Sequence, residues 1–333
     1  MTRQIEGLAE QAGSLLSCST VCSVSIGGTT HPVYALSLGN PDHNSAAVGF
    51  FGGVHGLEHI GAQVVLAGLR SVVARLRWDH TLHRLLEHLH LVFMPLVNPG
   101  GMARGTRANP AGVDLMRNAP LECEAGAALL LGGQRLSAGL PWYRGPEGAP
   151  MQPEAQALCD VVHEHLLGHC FSIAVDCHSG FGVSDRLWFP HAHTARPIEH
   201  LPELHALSQL LDESLLHHRY LVEPQSRQYL THGDLWDHLY LTASRMSGSV
   251  FLPLTLEMGS WLWVKKNPRQ LFSRLGIFNP LIEHRQQRVL RRHMALLDFV
   301  MRAATSHGHW RLQGQDRDRQ RGLALQRWYP ARP

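Results

Sequence analysis

The chain has 333 residues, 44% of them hydrophobic, and its 30 Lys and Arg against 27 Asp and Glu leave a formal charge of +3. That length suits one large or two ordinary domains with ample core, and so small a charge excess, with no basic cluster before the C-terminal tail, gives no electrostatic footprint for nucleic acid. No run of 18 apolar residues is present to span a membrane, and the opening "MTRQIEGLAEQAG" lacks the apolar core of an export signal, so the six cysteines are expected as reduced thiols of a cytoplasmic protein.

Apolar runs of strand length alternate with helix-length amphipathic stretches, which argues for an α/β architecture. Strands are expected at residues 21–26 and 32–37, separated by "GGTT" and read as a hairpin, and then at 46–51, 91–96, 172–176 and 250–256. The hairpin makes the sheet mixed. Helices are expected at 56–76, 153–167, 204–217 and 281–303. Between them, residues 119–151 are rich in Gly, Pro and Ala and read as a long loop, and loops of that length usually serve function. No linker separates two cores, so residues 1–304 read as a single domain, followed by a polar, arginine-rich segment, 305–333, expected to lie on the surface or fray.

One short stretch asks for chemistry. In "GGVHGLEHIGA" (52–62), His55, Glu58 and His59 share a face if the segment is helical. His55 and Glu58 are then candidate metal ligands, or His55 and His59 are the ligands with Glu58 between them as base, as in inverted zincins. Spacing alone decides little in a chain with 24 histidines, where His200-Leu-Pro-Glu203 repeats the same interval. Position decides more, because open α/β sheets place ligands at the C-terminal ends of their strands. Four expected strands end in "GGVHGLE", "VNPGGMARGTRANPAGVDLMRN", "CHSGFG" and "EMGSW". His178 in the third is a candidate third ligand, since a catalytic zinc takes three protein ligands and keeps one open position. Glu257 in the fourth follows an apolar run, where a carboxylate is costly to bury without a purpose. Cys18 and Cys22, four apart, show no metal-knuckle spacing.

The motifs "VHGLE", "NPGG", "GVDLMRN", "DCHSG" and "LTLEMG", in that order over residues 20–265, resemble the zinc metallocarboxypeptidases related to carboxypeptidase A. The resemblance implies an α/β/α sandwich around a mixed, mostly parallel eight-stranded sheet. It also implies one Zn²⁺ per chain and hydrolysis of a C-terminal peptide or amide bond. His55, Glu58 and His178 would bind the zinc, and Glu257 would take a proton from the water activated there. Asp114 would accept a hydrogen bond from His55 and fix its tautomer. Arg107 would polarise the scissile carbonyl, with Arg104 close enough to compete for that role. Arg117 would hold the substrate's terminal carboxylate, and Tyr229, in "YLTHGDLWDHLY", would match the family's mobile substrate-binding tyrosine. The expected substrate is a small peptide or an acyl-amino acid, the latter if the scaffold serves as an amidase or deacylase. A non-catalytic binding protein is the alternative of a different class, disfavoured because ligands, base and arginine are all present. Two departures stand out. Met116 replaces the asparagine of the family's "DLNRN", and Trp236 occupies the expected pocket floor before Asp237, which speaks against basic terminal residues.

Overall fold

Residues 1–246 and 248–330 are described by a computed structural model. Its eight strands are β1 (Ser17–Ile26), β2 (Thr29–Gly39), β3 (Ala46–Gly52), β4 (Leu89–Met94), β5 (Phe171–Ser179), β6 (Arg186–Phe189), β7 (Leu221–Pro224) and β8 (Val250–Met258). They form one sheet in the order β1-β2-β4-β3-β5-β8-β6-β7. The pairs β4/β3, β3/β5, β5/β8 and β6/β7 run parallel, and β1/β2, β2/β4 and β8/β6 antiparallel. The expected hairpin is present with a tighter turn than "GGTT" suggests. Ile26 pairs with Thr29, so only Gly27 and Gly28 turn the chain, both at positive φ, as a two-residue hairpin loop requires.

Every residue of β3, β5 and β8 is buried, as expected for central strands covered on both faces. Along β3 the side chains alternate between two cores: Val48 and Phe50 join one, Ala47 and Phe51 the other. Helices His59–Arg75 and Glu283–Thr305 fill the first through Val64, Leu69, Leu297 and Val300, whereas Pro153–Val162 and Leu235–Ala243 fill the second through Leu158, Val162 and Leu239. The result is a three-layer α/β/α sandwich.

Strands β6 and β7 are absent from the sequence reading. Each is four residues long, and β7 carries Glu223 and Pro224, a composition tolerated because β7 lies at the sheet edge. The segment after residue 305 is also more ordered than its polarity suggests. Helix Gly314–Trp328 buries Gln320, Ala324 and Trp328 against the domain, Arg317 Nε donates to Glu203 Oε1 at 2.7 Å, and Trp328 Nε1 donates to the Val222 carbonyl at 2.8 Å. No helix among the described residues is long and apolar enough to cross a membrane.

Candidate metal centre and active site

The central parallel strands point their C-terminal ends at one place. In the β5/β8 register His178 stands opposite Glu257, and in β3/β5 Gly52 stands opposite Cys177, so the chain leaving β3 enters the same region. The expected helix at 56–76 begins only at His59. Residues 55–58 form a turn, with the Glu58 N–H on the His55 carbonyl at 3.0 Å and Glu58 in a non-helical conformation. A turn, not a helix face, therefore presents His55 and Glu58. The turn is held from outside. Asn279 Nδ2 donates to the Leu57 carbonyl at 2.8 Å and its Oδ1 accepts from the Ile60 N–H at 2.9 Å, capping the helix from across the fold. Gly56 lets the turn lie on the helix Pro99–Arg104, since a Cβ there would come within 2.1 Å of the Gly101 backbone.

His55, Glu58 and His178 bring ligand atoms within 4.8 Å of one another, and all three are buried. His59 is not among them and lines a separate groove with Met1 and Gln63, so the inverted zincin reading fails on geometry. Each histidine gives one nitrogen to a carboxylate: His55 Nε2 to Asp114 Oδ1 at 3.0 Å, and His178 Nε2 to Asp176 Oδ2 at 2.6 Å. The two Nδ1 atoms then face each other at 3.2 Å, with Glu58 oxygens 2.9 and 3.1 Å away. Ligands bonded at about 2.0–2.1 Å to a tetrahedral zinc lie roughly 3.3 Å apart, so the donor set and its spacing fit that ion.

The electrostatics agree. Burial alone would raise the Glu58 carboxyl, but the charge of His55 and hydrogen bonds from His178 and His55 hold it well below the carboxylate range. Asp114 is likewise buried yet held low by Arg107 and His55. His178, despite its burial, is held well above the ordinary imidazole range by Asp176 and Glu58. A metal must displace that proton, so zinc affinity weakens as pH falls.

Asp176 escaped the sequence reading, although its signal was there. Two residues before His178 on one strand, it projects to the same face. Its Oδ2 also accepts from Trp236 Nε1 at 2.9 Å. Trp236 is thus not the pocket floor. Asp234 caps the helix Leu235–Ala243, which turns Trp236 inward against Phe51, with ring centroids 5.1 Å apart. Loss of a carboxylate that orients a metal-binding histidine typically costs 10–100-fold in metal affinity. Asp176→Ala should weaken zinc binding by about that factor in a competition titration with a chelator. Unchanged affinity would show that packing alone orients His178.

Around the cluster lies a cavity of about 380 Å³ whose walls include Arg107, Met116, Arg117, Tyr229, Asp234 and Glu257. Arg107 is anchored by Asp114 Oδ2 at 2.8 Å and Glu58 Oε1 at 3.2 Å, whereas Arg104 is exposed and donates to the Pro110 carbonyl, out of the site. Glu257 accepts from the Phe181 N–H at 3.0 Å on Oε1. Burial and the nearby Glu58 push its pKa up to about 8. Met116 and Arg117 are both buried, so the departure from the family pattern lies inside the cavity. Tyr229 packs against Phe181 and Trp188 at ring distances of 6.0 Å, and burial raises its pKa, opposed by Arg117.

The long loop 119–151 supplies Leu131, Pro141 and Trp142 to the wall. It is ordered by buried polar side chains. Arg144 reaches the Arg117 and Leu121 carbonyls and Glu122, and Gln134 Nε2 reaches the Ser137, Leu140 and Pro141 carbonyls.

No curated protein matches the chain. The fold matches solved structures closely. Thrombin-activatable fibrinolysis inhibitor aligns at a TM-score of 0.68 and 19% identity over 91% of this chain and 72% of that one. The bovine inhibitor, in complex with tick carboxypeptidase inhibitor, aligns at 0.65 and 18% over 92% and 95%. Carboxypeptidase A from Helicoverpa armigera aligns at 0.58 and 16% over 88% and 71%. At such identities these likenesses concern the fold alone. The family model described as zinc carboxypeptidase matches residues 1–258, and with most of its length matched the chain belongs to that family.

Proposed function

We propose that this zinc carboxypeptidase releases the last residue of small peptides that end in a free carboxylate. The observation that carries the reading is a single cavity joining the His55–Glu58–His178 cluster and Glu257 to a buried arginine, Arg117. Zinc held by the cluster supplies a Lewis acid for the scissile carbonyl and acidifies water.

The remaining chemistry belongs to side chains. Glu257 Oε1 is fixed by the Phe181 N–H, which leaves Oε2 to take the proton of the attacking water and return it to the leaving nitrogen. Arg107, held in place by Asp114 and Glu58, stabilises the negative charge that develops on the carbonyl oxygen. Arg117 receives the terminal carboxylate, and Tyr229 lines the same cavity. Asp114 and Asp176 keep the two histidines in the tautomer that turns Nδ1 to the metal.

Met116 favours a second reading, a zinc amidase that does not require a free carboxylate, because a thioether beside Arg117 gives a carboxylate no hydrogen bond. Arg117→Met separates the two. A charge-assisted hydrogen bond contributes about 1.5–3 kcal/mol, so kcat/KM on a free-acid peptide should fall roughly ten- to 150-fold. A change of less than about threefold would mean that Arg117 is not where the carboxylate binds, given the same energetics.

A further inference from the structure

The small net charge of the chain hides an uneven distribution. Residues 265–288 carry six Lys and Arg against one acid, Glu283, so this stretch holds +5 and the rest of the chain sums to −2. It is a basic cluster ahead of the tail, where the sequence reading found none. The fold gathers it. Lys265 and Lys266 end the helix Trp261–Lys266, Arg269 lies in the turn Pro268–Phe272, and Arg285 and Arg288 open the helix Glu283–Thr305. Arg285 Nη2 lies 3.5 Å from the Lys266 carbonyl, which brings the cations of the two helices together. Among the described residues none of the six is ion-paired, whereas Arg292, one turn further on, meets Asp185 at 2.6 Å.

Large apolar side chains stand among these charges. Phe272 is 94% exposed, Leu271 57% and Leu281 48%. The turn does not expose them by fraying. Gln270, just before them, is buried, and its Nε2 donates to the Gly276 and Asn279 carbonyls at 2.9 and 3.0 Å. The backbone is held from inside, and Leu271 and Phe272 are turned outward. Of the occupants that cover such a surface, two fit badly. A second copy related by a two-fold axis would bring the same cations face to face. A peptide is held in a concave groove, but a side chain as exposed as Phe272 protrudes and offers no slot. A bilayer accepts protruding apolar side chains at the boundary of headgroups and acyl chains, and clustered Lys and Arg hold its anionic headgroups.

We propose that residues 261–288 dock this enzyme on anionic phospholipid surfaces, with Leu271 and Phe272 inserted at headgroup level and the six cations against the headgroups. Trp261, Ile277 and Phe278 of the same segment line the active-site cavity, so docking sets the mouth of the cavity beside the lipid. The proposal is independent of which peptide is cleaved.

The test is co-sedimentation of the zinc-loaded protein with phospholipid vesicles. Vesicles of equal parts phosphatidylcholine and phosphatidylglycerol should bind it, pure phosphatidylcholine vesicles should not, and added salt should release it. Phe272→Ser, which keeps every charge, should weaken binding at least about tenfold, as expected for loss of one inserted Phe. Lys266→Gln, Arg269→Gln and Arg274→Gln together should weaken it roughly hundredfold, at about fivefold per cation near the surface. Both variants should keep the parent's kcat/KM on a soluble peptide, which shows that the fold is intact. No binding to the mixed vesicles, equal binding to the two vesicle types, or parental binding by Phe272→Ser would each overturn the proposal. Binding of poly-glutamate in place of the mixed vesicles would assign the patch to acidic peptides and overturn it as well.

Discussion

Glu257→Gln is expected to keep its zinc and lose about 10²–10⁴-fold in kcat, the usual contribution of a positioned general base. The substitution is nearly isosteric. Gln retains an oxygen for the Phe181 N–H, which now meets Glu257 Oε1 at 3.0 Å, so the backbone around β5 and β8 has no reason to move. What disappears is the ability to hold a proton. Glu257 is raised to about 8 by burial and by Glu58, so the neutral amide is also well suited to its surroundings and the variant should fold at least as stably. Near-normal turnover in a zinc-replete variant would remove Glu257 from the mechanism.

The second large effect decides whether His178 or His59 completes the ligand set with His55, which the spacing in residues 52–62 alone does not. His178→Ala removes a nitrogen that stands 3.1 Å from Glu58 Oε2 and 3.2 Å from His55 Nδ1, so the site loses a third of its protein ligands. It also leaves Asp176 buried with one hydrogen bond, from Trp236, in place of two. Zinc content measured after dialysis should fall from about one per chain to near zero, because a catalytic site needs its three protein ligands. His59→Ala should keep its metal, since His59 lies outside the cluster. The reverse outcome would restore the inverted zincin assignment against the geometry.

What the sequence reveals follows from how directly a residue's role depends on its neighbours in the chain. That His55, Glu58, His178 and Glu257 come together is legible because each follows an apolar run closely, and central parallel strands deliver their C-terminal ends to one place. Their local geometry is not. The ligand turn 55–58 is kept out of the helix by Asn279, some 220 positions away, and nothing near residue 56 announces that. Register along one segment puts Trp236 in the pocket, but Asp234 caps the helix and the indole meets Asp176 on β5 instead. The helix Gly314–Trp328 carried a readable signal in Gln320, Ala324 and Trp328, spaced four apart on one face, which its charged composition concealed.

Whether this chain is a carboxypeptidase in its chemistry rests on the free end of the substrate. The most direct measurement compares one peptide in free-acid and C-terminally amidated form, with zinc-loaded and chelator-treated protein. The cavity that holds Arg117 and Tyr229 predicts release of the last residue from the acid, slower cleavage of the amide by at least about tenfold, and no cleavage of either after zinc removal. Equal cleavage of acid and amide by the zinc form would contradict the assignment of Arg117 and leave an amidase, and cleavage that survives zinc removal would contradict the metal centre itself.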